Sequence, residues 1–262
     1  TEGEQIRAAA RGTNNLEAYL KYLQAMALMR QFNIESNALA KQFAQEAIAL
    51  DPEYAMPYMV LSSTHQMDVW LGTSKSPKES VAKSMELIQK AIDLDPTFAE
   101  AYGHLGFTYT MIGEHDKAVA KAEQAAALNP NSAYVHMRMG HTLRFAGRYE
   151  EAIPEYKKAI RLNPIPPTNY LFGLGIAYCG TGQYEEAIKW CEKAVRQDPD
   201  SFLTRLVMTM VYSESGRLED ARAEAEEVLR INPKFSLDKW EKAITGSNKE
   251  QSIAAIRKAG LK

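Results

Sequence analysis

The sequence predicts an all-α α-solenoid of about six helix-turn-helix repeats, closed by C-terminal capping helices. Three observations carry this prediction: a regular spacing of proline, columns of small residues at equivalent places, and a glycine turn between helical patterns. Stacked repeats bury their apolar faces only against their neighbours. A chain of 262 residues is therefore expected to form one continuous array rather than two globular domains.

Six Asp-Pro or Asn-Pro dipeptides mark the ends of the repeats, and from Pro96 onward they recur every 34 or 35 residues. Proline cannot continue a helix, and it moves the preceding residue away from the α region. Each dipeptide therefore predicts the end of one helix before the next begins. They are Asp51-Pro52, Asp95-Pro96, Asn129-Pro130, Asn163-Pro164, Asp198-Pro199 and Asn232-Pro233.

These marks divide the chain into three parts. Residues 1–14 are interpreted as the tail of an upstream segment, residues 15–233 as the repeats, and residues 234–262 as C-terminal capping helices. An open array needs such a cap to cover its last apolar face. The repeats are expected at residues 18–52, 55–96, 99–130, 133–164, 168–199 and 202–233.

The first two repeats depart from the regular length. The first holds about three extra residues near Gln31 to Asn37, and the second about ten across Asp68 to Glu79. A loop that contains Trp70, Gly72 and Pro77 is expected to bulge from the stack there.

Small residues recur where the two helices of a repeat are expected to cross. First helices carry Gly106, Gly140 and Gly175, and the second helices that follow carry alanine at the matching place. A close crossing needs one nearly bare side, beside which a larger residue packs. A glycine also lies in each inter-helix turn, where a left-handed backbone is favourable. These turn residues are Gly113, Gly147, Gly182 and Gly216.

The segment Ala133–Pro164 resembles a tetratricopeptide repeat. The resemblance lies in Met139-Gly140, Leu143, Gly147, Tyr149, Ala152, Tyr156, Ala159 and Pro164. It implies an all-α, right-handed superhelical α-solenoid whose concave face is formed by the first helix of each repeat, and an activity in protein binding.

The flanks show a narrower resemblance, to the C-terminal tetratricopeptide region of bacterial class III adenylate/guanylate cyclases and related signalling proteins. It lies in the opening TEGEQIRAAARGTNNLEAYLKYLQA, the insert HQMDVWLGTSKSPKES and the joint LNPIPPTNY. Nothing in the chain matches the catalytic domain of such proteins, so no cyclase chemistry is assigned to any residue.

Composition excludes several classes of partner. A formal net charge of −2 and a pI near 6.2 give no positive field to attract phosphates, so no nucleic-acid partner is expected. No apolar run approaches the roughly 20 residues of a membrane span. With no signal peptide at its start, the chain is expected in the cytoplasm, and the periplasm stays open if the parent protein has an upstream span.

No catalytic or metal-binding framework is present in the sequence, so neither an enzyme nor a cofactor is expected. His136 and His141 are five residues apart, which is off the i, i+4 spacing that directs two imidazoles at one metal. Cys179 and Cys191 form no Cys-x-x-Cys pair and are interpreted as buried or half-buried thiols.

The concave face implied by the resemblance is rich in methionine and aromatic residues. Eight of the 11 methionines fall on its positions. Such a surface is adaptable and apolar, as in grooves that hold amphipathic helices. The partner-binding residues predicted from it are Tyr22, Met26, Met59, Phe107, Met111, Met137, His141, Arg144, Phe145, Phe172, Ile176 and Met210.

Our leading hypothesis is a non-enzymatic interaction scaffold or regulatory module that binds an apolar peptide or helix of a protein partner. Two alternatives stay open: an intramolecular regulator of an upstream cyclase-type domain, and a receptor for a small apolar ligand or lipid. A homo-oligomer formed through Trp190 or the Trp70 loop also stays open. Strong superhelical curvature, or a terminal helix folded into the groove, would instead bury the concave residues within the chain.

Overall fold

A computed structural model describes residues 12–29, 31, 33–243 and 249–262. These residues form six helix pairs followed by two shorter helices, which confirms the all-α solenoid of helix-turn-helix repeats. The tail expected at residues 1–14 lies outside the described residues up to residue 11. The helices are α1 (Leu16–Met29), α2 (Ile34–Leu50), α3 (Ala55–Trp70), α4 (Pro77–Leu94), α5 (Ala99–Met111), α6 (His115–Leu128), α7 (Ala133–Phe145), α8 (Tyr149–Leu162), α9 (Thr168–Gly180), α10 (Tyr184–Gln197), α11 (Phe202–Glu214), α12 (Leu218–Ile231), α13 (Leu237–Ala243) and α14 (Lys249–Lys258).

The Asp-Pro and Asn-Pro dipeptides end helices for a further reason besides proline. The side-chain oxygen of the Asp or Asn accepts a hydrogen bond from the backbone N–H two residues later, as Asp95 does from Thr97 at 2.9 Å. Asp51, Asn129, Asn163 and Asn232 make the same contact. The acidic or amide side chain thus fixes the turn that proline begins.

The glycine columns mark close contacts between helices, as expected. A Cβ atom on Gly106 would lie 2.8 Å from the carbonyl oxygen of Ala118, and one on Gly175 would collide with Cys191 Sγ. Both cysteines are buried and free. The four turn glycines have φ angles of 74–82°, the left-handed region in which other residues are strained.

The insert of repeat two differs from the expected outward loop. α3 extends to Trp70, whose ring lies 6.4 Å from Phe107 and 6.4 Å from Phe145, on the inner side of the array. Asp68 anchors the insert, since its carboxylate accepts hydrogen bonds from Lys41 Nζ at 2.5 Å and Asn37 Nδ2 at 2.7 Å. The prediction that Trp70 bulges from the stack is therefore wrong, because the indole gains more by packing on the aromatic rings than by facing water.

One cross-helix pair recurs at equivalent positions of repeats four and six. His136 Nδ1 lies 2.5 Å from a carboxylate oxygen of Glu155, and Arg205 Nη1 lies 2.9 Å from one of Glu224. In both, the ring or guanidinium also contacts the carbonyl of the preceding repeat's final proline, at 2.9 Å. Each pair therefore joins two helices of its own repeat to the turn before it.

None of the described helices combines the length and the apolar character needed to cross a membrane.

Candidate functional site

The twelve predicted partner-binding residues lie inside the array more deeply than an open groove would allow. Four are half-buried: Met26, Met111, Arg144 and Ile176. Eight are buried: Tyr22, Met59, Phe107, Met137, His141, Phe145, Phe172 and Met210. These eight positions are therefore packed against other residues of the chain rather than open to solvent.

An aromatic cluster fills the middle of the concave side. Phe107 lies 5.7 Å from Phe145 and 5.9 Å from His141, and His141 lies 5.5 Å from Tyr156. Trp70 packs against both phenylalanines from α3. The structure thus brings three of the predicted residues together, around an indole that sequence reasoning had placed elsewhere.

His141 is an unusual member of this cluster. It is 9% exposed, and neither ring nitrogen has a hydrogen-bond partner of normal geometry among the described residues. Burial holds the pKa of His141 well below its usual value, and the charges of Arg144 and Arg138 lower it further. The imidazole is therefore neutral at pH 7.

Two arginines flank the cluster. The guanidinium of Arg138 lies 4.7 Å from the ring centre of Phe107, and that of Arg144 lies 4.3 Å from that of Phe145. Their Nε atoms donate to the hydroxyl groups of Tyr134 at 2.8 Å and Tyr156 at 3.4 Å. Within the described part of the chain, neither arginine has a carboxylate at ion-pair distance. The predicted partner-binding residues include Arg144 but not Arg138, which lies on the same helix.

Met137 belongs to the packed core. It is 3% exposed and lies in a small apolar cluster with Ala159 and Tyr170. The amide of Asn169 approaches its sulfur at 3.8 Å. A charge at this position would therefore be buried in the free protein, without any partner bound.

The chain's own last helix covers the concave side of repeat six. Ile253 and Ile256 of α14 are buried in the same apolar cluster as Leu206 and Met210 of α11. At the edge of this contact, Gln251 Nε2 donates to Glu214 Oε2 at 2.9 Å. A terminal helix folded against the concave side, which the sequence left open, is therefore what the structure contains.

The preceding helix crosses to the other side of the array. α13 contacts α3, and the half-buried Trp240 and Trp70 pack against one shared apolar cluster. α13 thus brings the C-terminal segment into contact with repeat two. Trp70 is half-buried, and a homo-oligomer through Trp190 or the Trp70 loop stays a prediction.

The first three repeats keep partly accessible concave positions. Tyr22 is buried by an edge-on contact with Tyr54, at 5.6 Å between ring centres. Five methionines are only half-buried: Met26, Met29, Met56, Met67 and Met111. This surface, the methionine face, is an accessible apolar part of the predicted groove.

A small cavity lies elsewhere, among α10, α11 and α12. Its volume is about 120 Å³, and it is lined by Glu192, Val195, Arg196, Met208, Tyr212 and Glu224. None of these is among the twelve predicted residues. Small-molecule sites usually enclose about 300–1,000 Å³, so this cavity does not favour a receptor for a small ligand.

Comparison with family models gives one consistent result. Three models, each described as a tetratricopeptide repeat, match residues 87–120, 137–202 and 180–238. Together they cover just over half of the 262 residues.

Solved structures of low sequence identity share the fold. A monomeric mutant of IFIT1 with Gppp-AAAA matches with a TM-score of 0.68 and 17% identity, over 83% of this chain and 51% of that one. The APC/C hetero-tetramer Cut9-Hcn1 matches at 0.63 and 16%, over 87% and 46%. This chain therefore spans about half the length of these two. A tetratricopeptide repeat protein of Thermus thermophilus matches at 0.55 and 23%, over 68% and 98%.

No curated protein matches the chain in sequence. The resemblance of the flanks to cyclase-associated repeats is tested by none of these matches and stays a prediction.

Proposed function

Because this chain is a tetratricopeptide repeat protein, we propose that it is a non-enzymatic interaction module that binds an apolar helix of a protein partner on the methionine face. The observation that carries the proposal is the set of five half-buried methionines on the concave side of repeats one to three. Among the described residues, the main contacts of α13 and α14 are with α3, α11 and each other, and neither helix is a main neighbour of α1 or α5. Of the helices that carry the methionine face, only α3 is in contact with α13.

Methionine suits such a surface for a physical reason. Its unbranched thioether adopts many shapes at little cost, so neighbouring methionines fit apolar side chains of varied outline. Burial of apolar area contributes roughly 25 cal/mol per Å², so covering the accessible parts of several methionines supplies useful affinity. A partner with leucine or isoleucine at i, i+3, i+4 and i+7 fits this demand.

The unpaired arginines add a preference for acidic partners. Arg138 and Arg144 lie at the border of the aromatic cluster, stacked on Phe107 and Phe145. A guanidinium held on a ring is preorganised to bind a carboxylate through two hydrogen bonds. An amphipathic helix with glutamate beside its apolar stripe therefore matches this surface better than a basic one.

A defined peptide tests the proposal. We expect an 18-residue synthetic helix of leucine and glutamate on opposite faces to bind the full chain, measured by fluorescence anisotropy. Met111→Glu should weaken binding about tenfold, because the bound peptide would desolvate the new carboxylate. Ile112→Glu is the matched control, since Ile112 is adjacent and 49% exposed.

Two results would contradict the proposal. One is equal binding of the peptide by a folded Met111→Glu protein and the wild-type protein. The other is equal binding of a second peptide of the same composition, in which the leucines are scattered around the helix. The expected result is loss of binding with the scattered peptide and wild-type affinity for Ile112→Glu.

A further inference from the structure

We propose that α14 is an internal ligand of repeat six, and that an external amphipathic helix of similar apolar pattern replaces it there. The inference rests on the proposed function only in that the concave side binds helices. It concerns the opposite half of the array from the methionine face, so each can fail without the other.

The first support is the way in which α14 is seated. Its sequence, KEQSIAAIRK, places Ile253 and Ile256 on one face, with exposures of 2% and 1%, and Ala254 on the exposed face. Ala259 and Leu261 continue the buried side beyond the helix. This is the pattern of an amphipathic helix bound in a groove.

The second support is that α14 does not continue the stack. Each first helix after repeat one contacts the second helix of the repeat before it, as α11 contacts α10 and α9 contacts α8. In the described residues, α14 instead packs on α11 and α13, and α12 is not among its main neighbours. It therefore occupies the place of a bound helix rather than that of a seventh repeat.

The third support is that the terminal segment is joined to itself. The backbone N–H of Leu237 donates to the carbonyl oxygen of Lys262 at 2.7 Å, and Arg257 lies 3.5 Å from Glu241. α13 and α14 thus share contacts that need no repeat. The segment can leave the array without losing these bonds.

The surface of α11 that α14 occupies, the seat of α14, has a polar edge at Glu214. This edge defines the chemistry of the partner further. Glu214 accepts from the Gln251 amide at 2.9 Å and the Cys179 thiol at 3.4 Å, and no lysine or arginine of the described residues pairs with it. A cation at the place of Gln251 would form a charge-assisted hydrogen bond, which is stronger than an amide contact. The expected partner is therefore a helix with a basic residue two positions before its first isoleucine. Further apolar residues follow three and six positions after that isoleucine.

Competition gives the proposal its measurable consequence. When the internal helix occupies the seat most of the time, the apparent Kd of an external helix rises as the unoccupied fraction falls. Weakening the internal helix must then tighten external binding, whereas a merely structural cap would give no such gain.

The test uses a labelled peptide of residues 249–262, KEQSIAAIRKAGLK, with the full chain. Ile256→Asp in the chain should lower the Kd of this peptide about tenfold or more relative to wild type, since it vacates the seat. Ala254→Asp adds the same charge on the exposed face and should leave the Kd at the wild-type value. A peptide with Gln251→Arg should bind the Ile256→Asp chain more tightly than the unmodified peptide.

Equal Kd values for the Ile256→Asp and wild-type chains would overturn the proposal, as would equal affinity for a peptide that itself carries Ile256→Asp. Hydrogen exchange of the wild-type chain gives a result that does not depend on any variant. Amides of α14 should exchange faster than those of α11 through local opening. Exchange of both helices at one common rate would mean that α14 leaves only on global unfolding, and the proposal would be wrong.

Discussion

Repeats two and four fill the same positions with different chemistry. At the crossing of its two helices, repeat two has Ser62 and Ser84, whose hydroxyl groups lie 2.8 Å apart, both fully buried. The equivalent residues of repeat four are Gly140 and Ala152, whose side chains cannot form a hydrogen bond. A small side chain is what the position requires, and polarity is tolerated where each polar atom finds a partner.

The serine crossing extends into a buried network. Gln66 Nε2 donates to Ser84 Oγ at 3.0 Å and to Thr108 Oγ1 at 2.6 Å, and His104 Nε2 lies 3.1 Å from Ser62 Oγ. The network joins repeats two and three through directional bonds. Repeats four to six are joined by apolar packing around Tyr156, Leu174 and Leu206, which is more tolerant of small shifts.

The concave sides of the N-terminal and C-terminal repeats also differ, in how far their apolar residues are accessible. In repeats one to three the methionine face is partly accessible, whereas in repeat six α14 packs on α11, where Leu206 and Met210 are buried. The two halves of one solenoid thus separate an accessible apolar surface from an occupied one.

The largest expected effect comes from placing glutamate at a buried methionine, with the same substitution at an accessible methionine for comparison. Met137→Glu should lower the free energy of unfolding by about 3–5 kcal/mol, because it places an unpaired charge in the core. Met111→Glu should change it by less than about 0.5 kcal/mol, since the methionine face lets water reach the carboxylate. Urea denaturation of both variants measures the contrast, and equal losses would remove the distinction between buried and accessible positions.

The next effect tests the apolar crossing of repeat four. Ala152→Leu should cost about 1–3 kcal/mol, because Ala152 is fully buried and the added bulk has no space. Ala120→Leu is the control on an exposed surface of α6 and should stay within about 0.5 kcal/mol. An unchanged melting temperature for Ala152→Leu would contradict the alignment of the six repeats.

A somewhat smaller effect tests the polar network. Thr108→Val should cost about 1–2 kcal/mol, because it keeps the shape but leaves the buried Gln66 amide with one partner fewer. Ser63→Ala, which removes a half-buried hydroxyl bonded to the carbonyl of Met59, is expected to cost less. If both variants melt alike, the network contributes nothing specific to the joint between repeats two and three.

The smallest effect is a pH dependence. The pKa of His141 is lowered in the folded chain, so below pH 6.5 the unfolded chain binds the proton more readily. The contribution of neutral His141 to the free energy of unfolding is therefore complete above about pH 6.5 and is lost as the pH falls. The loss between pH 7 and pH 6 is less than about 1 kcal/mol. The positive charges of Arg138 and Arg144 also disfavour protonation of His141 and so lower its pKa further.

His104 and Glu214 titrate as well, so a variant must isolate His141. Burial lowers the pKa of His104 and raises that of Glu214, which act in opposite directions on acidification. His141→Phe keeps an aromatic ring beside Phe107 and Tyr156 and should lose less stability than wild type between pH 7 and pH 6. A parallel loss in both proteins would mean that His141 does not contribute to the pH dependence.

The repeat architecture was predictable from local signals. Proline ends a helix at each of the six dipeptides, the Asp or Asn before it bonds the turn, and Gly113 or Gly147 takes a left-handed backbone that other residues avoid. Helix bounds and the small columns follow from these residues with no knowledge of distant contacts. Assignment of Phe107, His141 and Phe145 to the concave side came from the resemblance to tetratricopeptide repeats.

What the concave side contains was decided by tertiary structure alone. The exposure of a concave residue depends on the curvature of the whole array and on which distant segment returns to it. Trp70 and α14 lie far from Phe107 and Met210 in sequence, and no local pattern states that an indole or an amphipathic helix packs there. The sequence by itself therefore determined the repeats, because their signals act over a few residues. Only the folded chain decided which half of the concave surface is covered, because apolar burial is non-directional and is satisfied by whichever surface comes within reach.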